Sequence, residues 1–268
     1  SKMSLPYPYV FIPFNIIFFI GVHLLARRQP DPLSFLILLF PILIINMTMS
    51  GVRQAAAIGI ICIALTAFID RRPIRFGLWV ILATAFHSSA IVFILLLPFA
   101  SGRYNNTRLA IAILFVLFGS FLITFSDNAL YAFNAYINSG REAYGAVFRV
   151  GVLALSALYF FLFAKQKWKK TFPKDYSLVS LGAFGMIFTL FLIPLSTIIS
   201  DRFGYYFIVF QAIIFARMPY LPFKKNHSIY IALPYLGILL VFLVWTQTSW
   251  HFNECYVPYK SWILGLPD

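Results

Sequence analysis

Charged residues are scarce in this sequence, and acidic residues are the scarcest. Asp, Glu, Lys and Arg make up 11% of the 268 residues, and only 8 of them are acidic, whereas soluble globular domains contain about 25% charged residues. Hydrophobic residues make up 61%, compared with roughly 45–50% in soluble domains. This composition excludes an ordinary soluble enzyme and indicates a membrane protein.

Cysteines and carboxylates are too few for the common metal sites. Cys62 and Cys255 lie far apart and lack the spacing of a zinc site or a disulfide framework. A carboxylate cluster able to hold a divalent cation is also missing. We therefore expect no metal and no cofactor. The net charge of +13 forms no basic stripe on a soluble module, so we expect no nucleic acid as a partner.

Long apolar runs are what the sequence contains instead. The runs are close to the ~20 residues that a helix needs to cross a bilayer, and the alternating polarity of transmembrane β-strands does not occur. The predicted spans are 7–26, 33–49, 52–69, 109–125, 145–164, 177–199, 203–222 and 229–247. We therefore predict an all-α, polytopic transmembrane bundle of about eight spans, a single domain over residues 1–268 in the lipid bilayer.

Residues 77–100 are apolar as well, but basic residues flank them on both sides. If this segment enters and leaves on the same side, the basic loops share one face, as the positive-inside rule requires. That face then holds Arg27, Arg28, Arg71, Arg72, Arg75, Arg103, Arg108, Lys165, Lys167, Lys169, Lys170, Lys174, Arg217, Lys224 and Lys225. We predict a re-entrant hairpin with His87 at its tip; the alternative is one long span containing a structural histidine.

The only sizeable extracytoplasmic loop is predicted at residues 126–144. Leu130, Phe133 and Ile137 recur there at helical spacing. Such a pattern is typical of a short helix that lies in the membrane interface with its apolar side towards lipid.

Six basic residues remain on the predicted outer face, against the positive-inside rule. They are Lys2, Arg53, Arg141, Arg149, Arg202 and Lys260. Arginines that converge on one face suit a diphosphate, because the planar guanidinium donates paired hydrogen bonds to phosphate oxygens. Arg53, at the start of a predicted helix, adds free backbone N–H groups. The alternative is that these arginines reach lipid headgroups or pair with Asp127, Glu142 and Asp201.

His87 is a candidate base, since histidine titrates near neutral pH. A hydrogen-bonded structural histidine explains the residue equally well. His251 and Glu254 near the C-terminus are further candidates, although exposure in a tail accounts for them too.

Four short motifs, in order, resemble one family. They are SGVRQAAA at 50–57, ATAFHSSA at 83–90, DRFGYYF at 201–207 and VPYK at 257–260. Together they are similar to the EpsG branch of the Wzy-like polysaccharide polymerases, and the match extends over residues ~10 to ~262. The family's usual N-terminal spans, with an R-Y-x-x-G-x-D-x-x-Y element, are absent, so we expect the chain to be N-terminally truncated.

The resemblance implies a GT-C-like membrane glycosyltransferase in the bacterial inner membrane. Such an enzyme joins undecaprenyl-diphosphate-linked repeats into O-antigen or exopolysaccharide on the outer face, sometimes with a chain-length regulator protein. The expected catalytic residues are His87, Arg53 and Arg202. The expected contacts with the diphosphate or glycan are Gln54, Arg141, Glu142, Arg149, Asp201, Tyr205 and Lys260. If His87 binds the diphosphate instead, Asp201 or Glu142 takes the proton.

Two other functions fit a polytopic chain of this composition. A membrane O-acyltransferase that decorates surface glycans also needs a histidine and an arginine near the membrane, but no second catalytic element of that kind is visible. A transporter or flippase of lipid-linked sugars often has two related halves with interrupted helices, and no such internal symmetry is visible here.

Overall fold

The protein is a helical bundle, seen here in a computed structural model. The structure describes residues 7–102, 106–108, 110–112, 114, 143, 145–223 and 227–257. Its main helices, in chain order, are α1 (Tyr7–Ala26), α2 (Pro32–Ser50), α3 (Val52–Ile69), α4 (Pro73–Phe86), α5 (Ser88–Phe99), α6 (Ala146–Thr171), α7 (Tyr176–Leu192), α8 (Thr197–Arg217), α9 (His227–Thr248) and α10 (Trp250–Cys255). No β-strand occurs in these stretches.

The prediction of an all-helical membrane protein is confirmed at this level. Within the described ranges, five helices are long and apolar enough to cross a membrane: α2, α3, α6, α9 and the helix Thr197–Tyr220 that extends α8. The predicted span 109–125 and the predicted interfacial helix 126–144 lie outside the described residues, apart from a few positions. The count of eight spans therefore stays a prediction.

The boundary between the sixth and seventh predicted spans was wrong. The prediction ended one span at residue 199 and began the next at 203, which placed Arg202 in a linker. In the structure α7 ends at Leu192 and α8 begins at Thr197. Ser196 ends the turn by capping α8, since its Oγ accepts a hydrogen bond from the backbone N–H of Ile199 at 3.4 Å. The turn itself is apolar, so hydropathy alone did not reveal it.

Helices α4 and α5 fold back on each other, with His87 between them. A Cβ added to Gly77 in α4 would lie 3.5 Å from Leu97 Cδ1 in α5, and one added to Gly102 would lie 2.9 Å from Arg71 Nε. The chain segments that lead into and out of this hairpin are therefore neighbours. At 14 residues, α4 is about 21 Å long, which is shorter than the ~30 Å hydrocarbon core of a bilayer. The re-entrant placement in the membrane stays a prediction.

The backbones of α1 and α3 touch at a pair of glycines. A Cβ added to Gly21 would lie 1.9 Å from the carbonyl oxygen of Gly59, and one added to Gly59 would lie 2.5 Å from Phe18 Cα. Small residues allow helices in a membrane protein to approach this closely. The contact helps to enclose α3, whose residues Ala55, Ala56 and Ala57 are fully buried.

Ion pairs join four helix termini at one end of the bundle, here called the basic end. Arg28, after α1, forms a paired salt bridge with Asp70, after α3, with N–O distances of 2.8 and 2.9 Å. Arg217, at the end of α8, pairs with Asp175, before α7, and donates to Gln29 Oε1 at 2.8 Å. Arg28 and Arg217, which the positive-inside rule placed on the same face, thus both form ion pairs at this end of the bundle.

Candidate functional site

Four segments meet at the end of the bundle opposite the basic end. Helix α2 ends at Ser50, and α3 begins at Val52 after a break at Gly51. This break exposes Arg53 in the first turn of α3, while the neighbouring Gln54 is buried. Gln54 Nε2 donates to the backbone carbonyl of Arg202 at 2.6 Å. The start of α3 is therefore tied to the first turns of α8.

The tip of the α4–α5 hairpin docks on the same part of α8. His87 leaves α4 in an extended conformation, with φ −151° and ψ 117°. Its Nδ1 lies 2.7 Å from Ser89 Oγ, and that hydroxyl donates to Tyr206 Oη at 3.2 Å. Both Arg53 and Arg202 are close enough for their charges to act on His87. We call Arg53, His87, Ser89, Arg202 and Tyr206 the hairpin cluster.

Helix α8 presents two adjacent rows of side chains to the site. Arg202 and Tyr206 are four residues apart and face the hairpin, as residues one turn apart on a helix do. Asp201 and Tyr205 form the neighbouring row and face Arg149 of α6. Sequence reasoning grouped all of these residues into one site, whereas the structure divides them between two faces of one helix.

Arg149 is held by Asp201 in a paired salt bridge. Its Nε and Nη2 donate to the two carboxylate oxygens at 2.8 Å each, and the side chains are only 19% and 12% exposed. The guanidinium carbon also lies 5.7 Å from the centroid of the Tyr205 ring, within the range of a cation–π contact. Of the alternatives for Arg149, the structure thus shows the pairing with Asp201.

A hydrogen-bonded chain of side chains continues from Tyr205 to the C-terminal helix. Asn46 Nδ2 donates to Tyr205 Oη at 2.8 Å, and Tyr256 Oη donates to Asn46 Oδ1 at 3.0 Å. Ser50 Oγ contacts Tyr256 Oη and lies 3.0 Å from His251 Nε2. Sequence reasoning missed Asn46, Ser50 and Tyr256, because their partners lie more than 150 positions away in the chain.

These residues border a cavity of about 680 Å³, here called the Trp cavity. Its lining residues are Asn46, Gly145, Arg149, Tyr205, Trp245, Thr248, Ser249, Trp250 and His251. An apolar cleft of about 250 Å³ adjoins it between α2, α6 and α9, with Ile42, Phe148 and Val241 among its walls. The two spaces share Asn46, Arg149 and Trp245.

A second apolar groove lies beside the hairpin cluster. It has a volume of about 590 Å³ and is bordered by α5, α7 and α8. Phe93, in its wall, contacts the ring of Tyr206 with centroids 5.4 Å apart. The ring of Phe210 packs against Gly182, and the ring of Phe207 packs against Gly185. A Cβ added to either glycine would lie only 2.0–2.2 Å from the ring. Phe93 therefore connects the wall of the groove to Tyr206 of the cluster.

Three predicted site residues, Arg141, Glu142 and Lys260, lie outside the described residues, and their contacts with substrate stay predictions. In the described ranges no three His, Cys, Asp or Glu side chains are grouped as metal ligands would be. The absence of a metal requirement stays a prediction too.

The sequence model of the EpsG family matches residues 1–261, nearly the whole chain. The chain belongs to the EpsG family. No curated protein and no solved structure matches it. The EpsG assignment, with the apolar helices, makes this a membrane protein of the polysaccharide polymerase type. The hairpin cluster of this EpsG-family chain combines residues from three of the four motifs on which the resemblance was based, SGVRQAAA, ATAFHSSA and DRFGYYF.

Proposed function

We propose that the chain joins undecaprenyl-diphosphate-linked oligosaccharide repeats into a surface polysaccharide. The observation that supports this most directly is the hairpin cluster, where the positive charges of Arg53 and Arg202 act on His87. Two guanidinium groups next to an imidazole are the groups needed to release a diphosphate and to accept a proton. In the proposed reaction the growing glycan moves from its lipid to the non-reducing end of a new repeat.

The bond changes assign a separate task to each member of the cluster. The bond between the sugar's anomeric carbon and the diphosphate oxygen breaks, and the diphosphate leaves with the electron pair. Arg53 and Arg202 stabilise the charge that develops on this oxygen. An acceptor hydroxyl forms the new bond to the anomeric carbon and gives its proton to His87.

The hydrogen bonds of His87 favour Nε2 as the proton acceptor. His87 Nδ1 contacts Ser89 Oγ, and the proposed reaction takes the tautomer in which Nδ1 donates to this hydroxyl, which in turn donates to Tyr206 Oη. Nε2 then bears the lone pair. Asp201 is poorly suited to the same task, because both of its oxygens already accept hydrogen bonds from Arg149.

The surroundings of the cluster suit a polyprenyl lipid. The groove of about 590 Å³ beside Phe93 and Tyr206 is almost entirely apolar. A polyprenyl chain in this groove would bring its diphosphate to the hairpin cluster. Gln54 contributes by fixing the backbone of Arg202. We further propose that the reaction takes place on the extracytoplasmic face of the bacterial inner membrane, with a chain-length regulator as a protein partner.

The test is polymer formation in cells that depend on this chain. Arg53→Ala, Arg202→Ala and His87→Ala should each abolish long-chain polymer at normal protein level. Lysine at either arginine position should restore little, because a point charge does not reproduce the paired geometry of a guanidinium. Arg75→Ala, at an exposed arginine near the foot of the hairpin, is the matched control and should leave polymer unchanged. Full polymer in all three alanine variants would refute the proposal.

The same cells separate the rival functions. In a polymerase variant, single repeats still reach the surface, whereas loss of a flippase traps them on the cytoplasmic side. An O-acyltransferase would transfer label from an acyl donor to the glycan, and we expect no such transfer.

A further inference from the structure

The Trp cavity is separate from the hairpin cluster, although α8 borders both. None of Arg53, His87 and Arg202 lines the cavity. Its volume of about 680 Å³ falls within the ~300–1,000 Å³ range of ligand sites. The reaction proposed above has two lipid-linked substrates, and the hairpin cluster with its groove accounts for one of them.

The charges around the Trp cavity do not favour a diphosphate. Arg149 is its one arginine among the described lining residues, and Asp201 compensates that charge through two hydrogen bonds. An anion would gain little there, because the guanidinium's favourable contact with Asp201 would have to be weakened. The hairpin cluster differs in this respect, since Arg53 forms no ion pair with any described residue.

The remaining lining residues have the chemistry of a sugar site. Trp250 is 73% exposed, and Trp245, five residues earlier in α9, also lines the cavity. A sugar ring has an apolar face of C–H groups that packs on an indole. The indole contributes a large apolar contact area, and its N–H can donate a hydrogen bond. The hydroxyls of Thr248 and Ser249 and the ring of His251 surround these indoles with hydrogen-bonding groups.

The exposed indole is held in place by the structure around it. Ser249 caps α10, its Oγ accepting from Phe252 N at 3.2 Å, and this break turns α10 away from α9. His251 is anchored to Ser50 at 3.0 Å. Exposed tryptophans at a membrane interface commonly meet lipid headgroups. Trp250 differs because it lines a polar cavity together with Trp245 and His251.

We propose that the Trp cavity binds the sugar chain of the acceptor substrate, a hydroxyl-rich oligosaccharide stacked on Trp245 and Trp250. The designation as acceptor rests on the polymerase function proposed above. The sugar chain then runs across α8 towards His87.

The experiment measures sugar binding directly. The full chain is placed in lipid nanodiscs, and the probe is the oligosaccharide released by mild acid from the lipid-linked repeats of the strain that contains the gene. Saturation-transfer NMR should detect binding to the wild type. Trp250→Ala should weaken the affinity for the oligosaccharide about tenfold, which corresponds to a loss of binding free energy of ~1.4 kcal/mol. As a control, Tyr220→Ala removes an exposed aromatic ring (46% exposed) at the basic end and should change neither binding nor polymer.

Three outcomes would overturn the inference: no binding by the wild type, wild-type affinity in Trp250→Ala, or displacement of the sugar by inorganic pyrophosphate. The last result would make the cavity an anion site. Arg53→Ala should bind the oligosaccharide normally while producing no polymer. If Arg53→Ala, Arg202→Ala and His87→Ala all produced full polymer, the proposed function would fail while the binding result stood, so the two failures are distinguishable.

Discussion

Replacing Asp201 by asparagine removes the negative charge that faces Arg149 with little change in volume. In the structure both carboxylate oxygens accept from the guanidinium at 2.8 Å. An exposed ion pair contributes about 0–1 kcal/mol, whereas removal of one partner from a buried pair costs about 3–5 kcal/mol. With 19% and 12% of the side chains exposed, this pair is mostly enclosed. We therefore expect Asp201→Asn to lower the free energy of unfolding by about 2–3 kcal/mol.

Thermal unfolding of the purified protein in detergent measures this effect. For a chain of this size, a loss of 2–3 kcal/mol corresponds to a decrease in Tm of roughly 4–12 °C. Arg149→Met should cause a similar decrease. The double variant Arg149→Met/Asp201→Asn should recover much of the loss, because no uncompensated charge remains. If the two single effects simply add, within about 0.5 kcal/mol, the reasoning about this pair is refuted.

Polymer formation by the double variant then tests the role of Arg149. If Arg149 contributes only to the packing of α6 on α8, the stable double variant should retain part of the polymer. If it binds the diphosphate, as the sequence suggested, the double variant should form none despite its stability. The structure favours the first result, because the Arg149 guanidinium already donates two hydrogen bonds to Asp201.

Three further predictions concern the bundle itself. Gly59→Leu should prevent folding, since a Cβ there would lie 2.5 Å from the backbone of α1. Gly237→Leu, at a glycine with open space around it, should be tolerated. Equal yields of the two folded variants by size-exclusion chromatography would contradict this prediction. Asp175→Asn leaves a buried guanidinium at the basic end without its counter-charge and should cost about 3–5 kcal/mol, seen as a large decrease in Tm; an unchanged Tm would count against it. Single cysteines in place of Ser89 and Lys170 test the hairpin with membrane-impermeant thiol reagents. Lys170→Cys should react only from the cytoplasmic side and Ser89→Cys only from the outside. Labelling of each cysteine from the opposite side would show that the predicted orientation is reversed.

The helical class and several helix ends were readable from the sequence. Apolar runs depend on composition within one segment, so the predicted bounds 7–26 and 52–69 match α1 and α3. The turn before α8 was not readable, because its residues are as apolar as the helices on either side. In the structure, the extended backbone of Ser196 and the hydrogen bond that its side chain accepts from Ile199 mark the place where the new helix begins.

The site was predictable only in part. The unusual position of Arg53, His87 and Arg202 in apolar surroundings, together with the family motifs, indicated that these three belong together. The sequence did not indicate that Arg149 faces Asp201, or that His251 contacts Ser50, which lies 201 positions earlier. Contacts between such distant positions depend on which helices are neighbours.

The sequence by itself determined that this chain is a membrane protein of the EpsG family, because composition, apolar length and motif order are properties of the chain. The tertiary structure alone decided how the charged side chains are divided. One turn of α8 directs Arg202 and Tyr206 towards the hairpin and Asp201 and Tyr205 towards α6. That division depends on the helices packed against each face, and it separates a cationic cluster from a charge-compensated cavity.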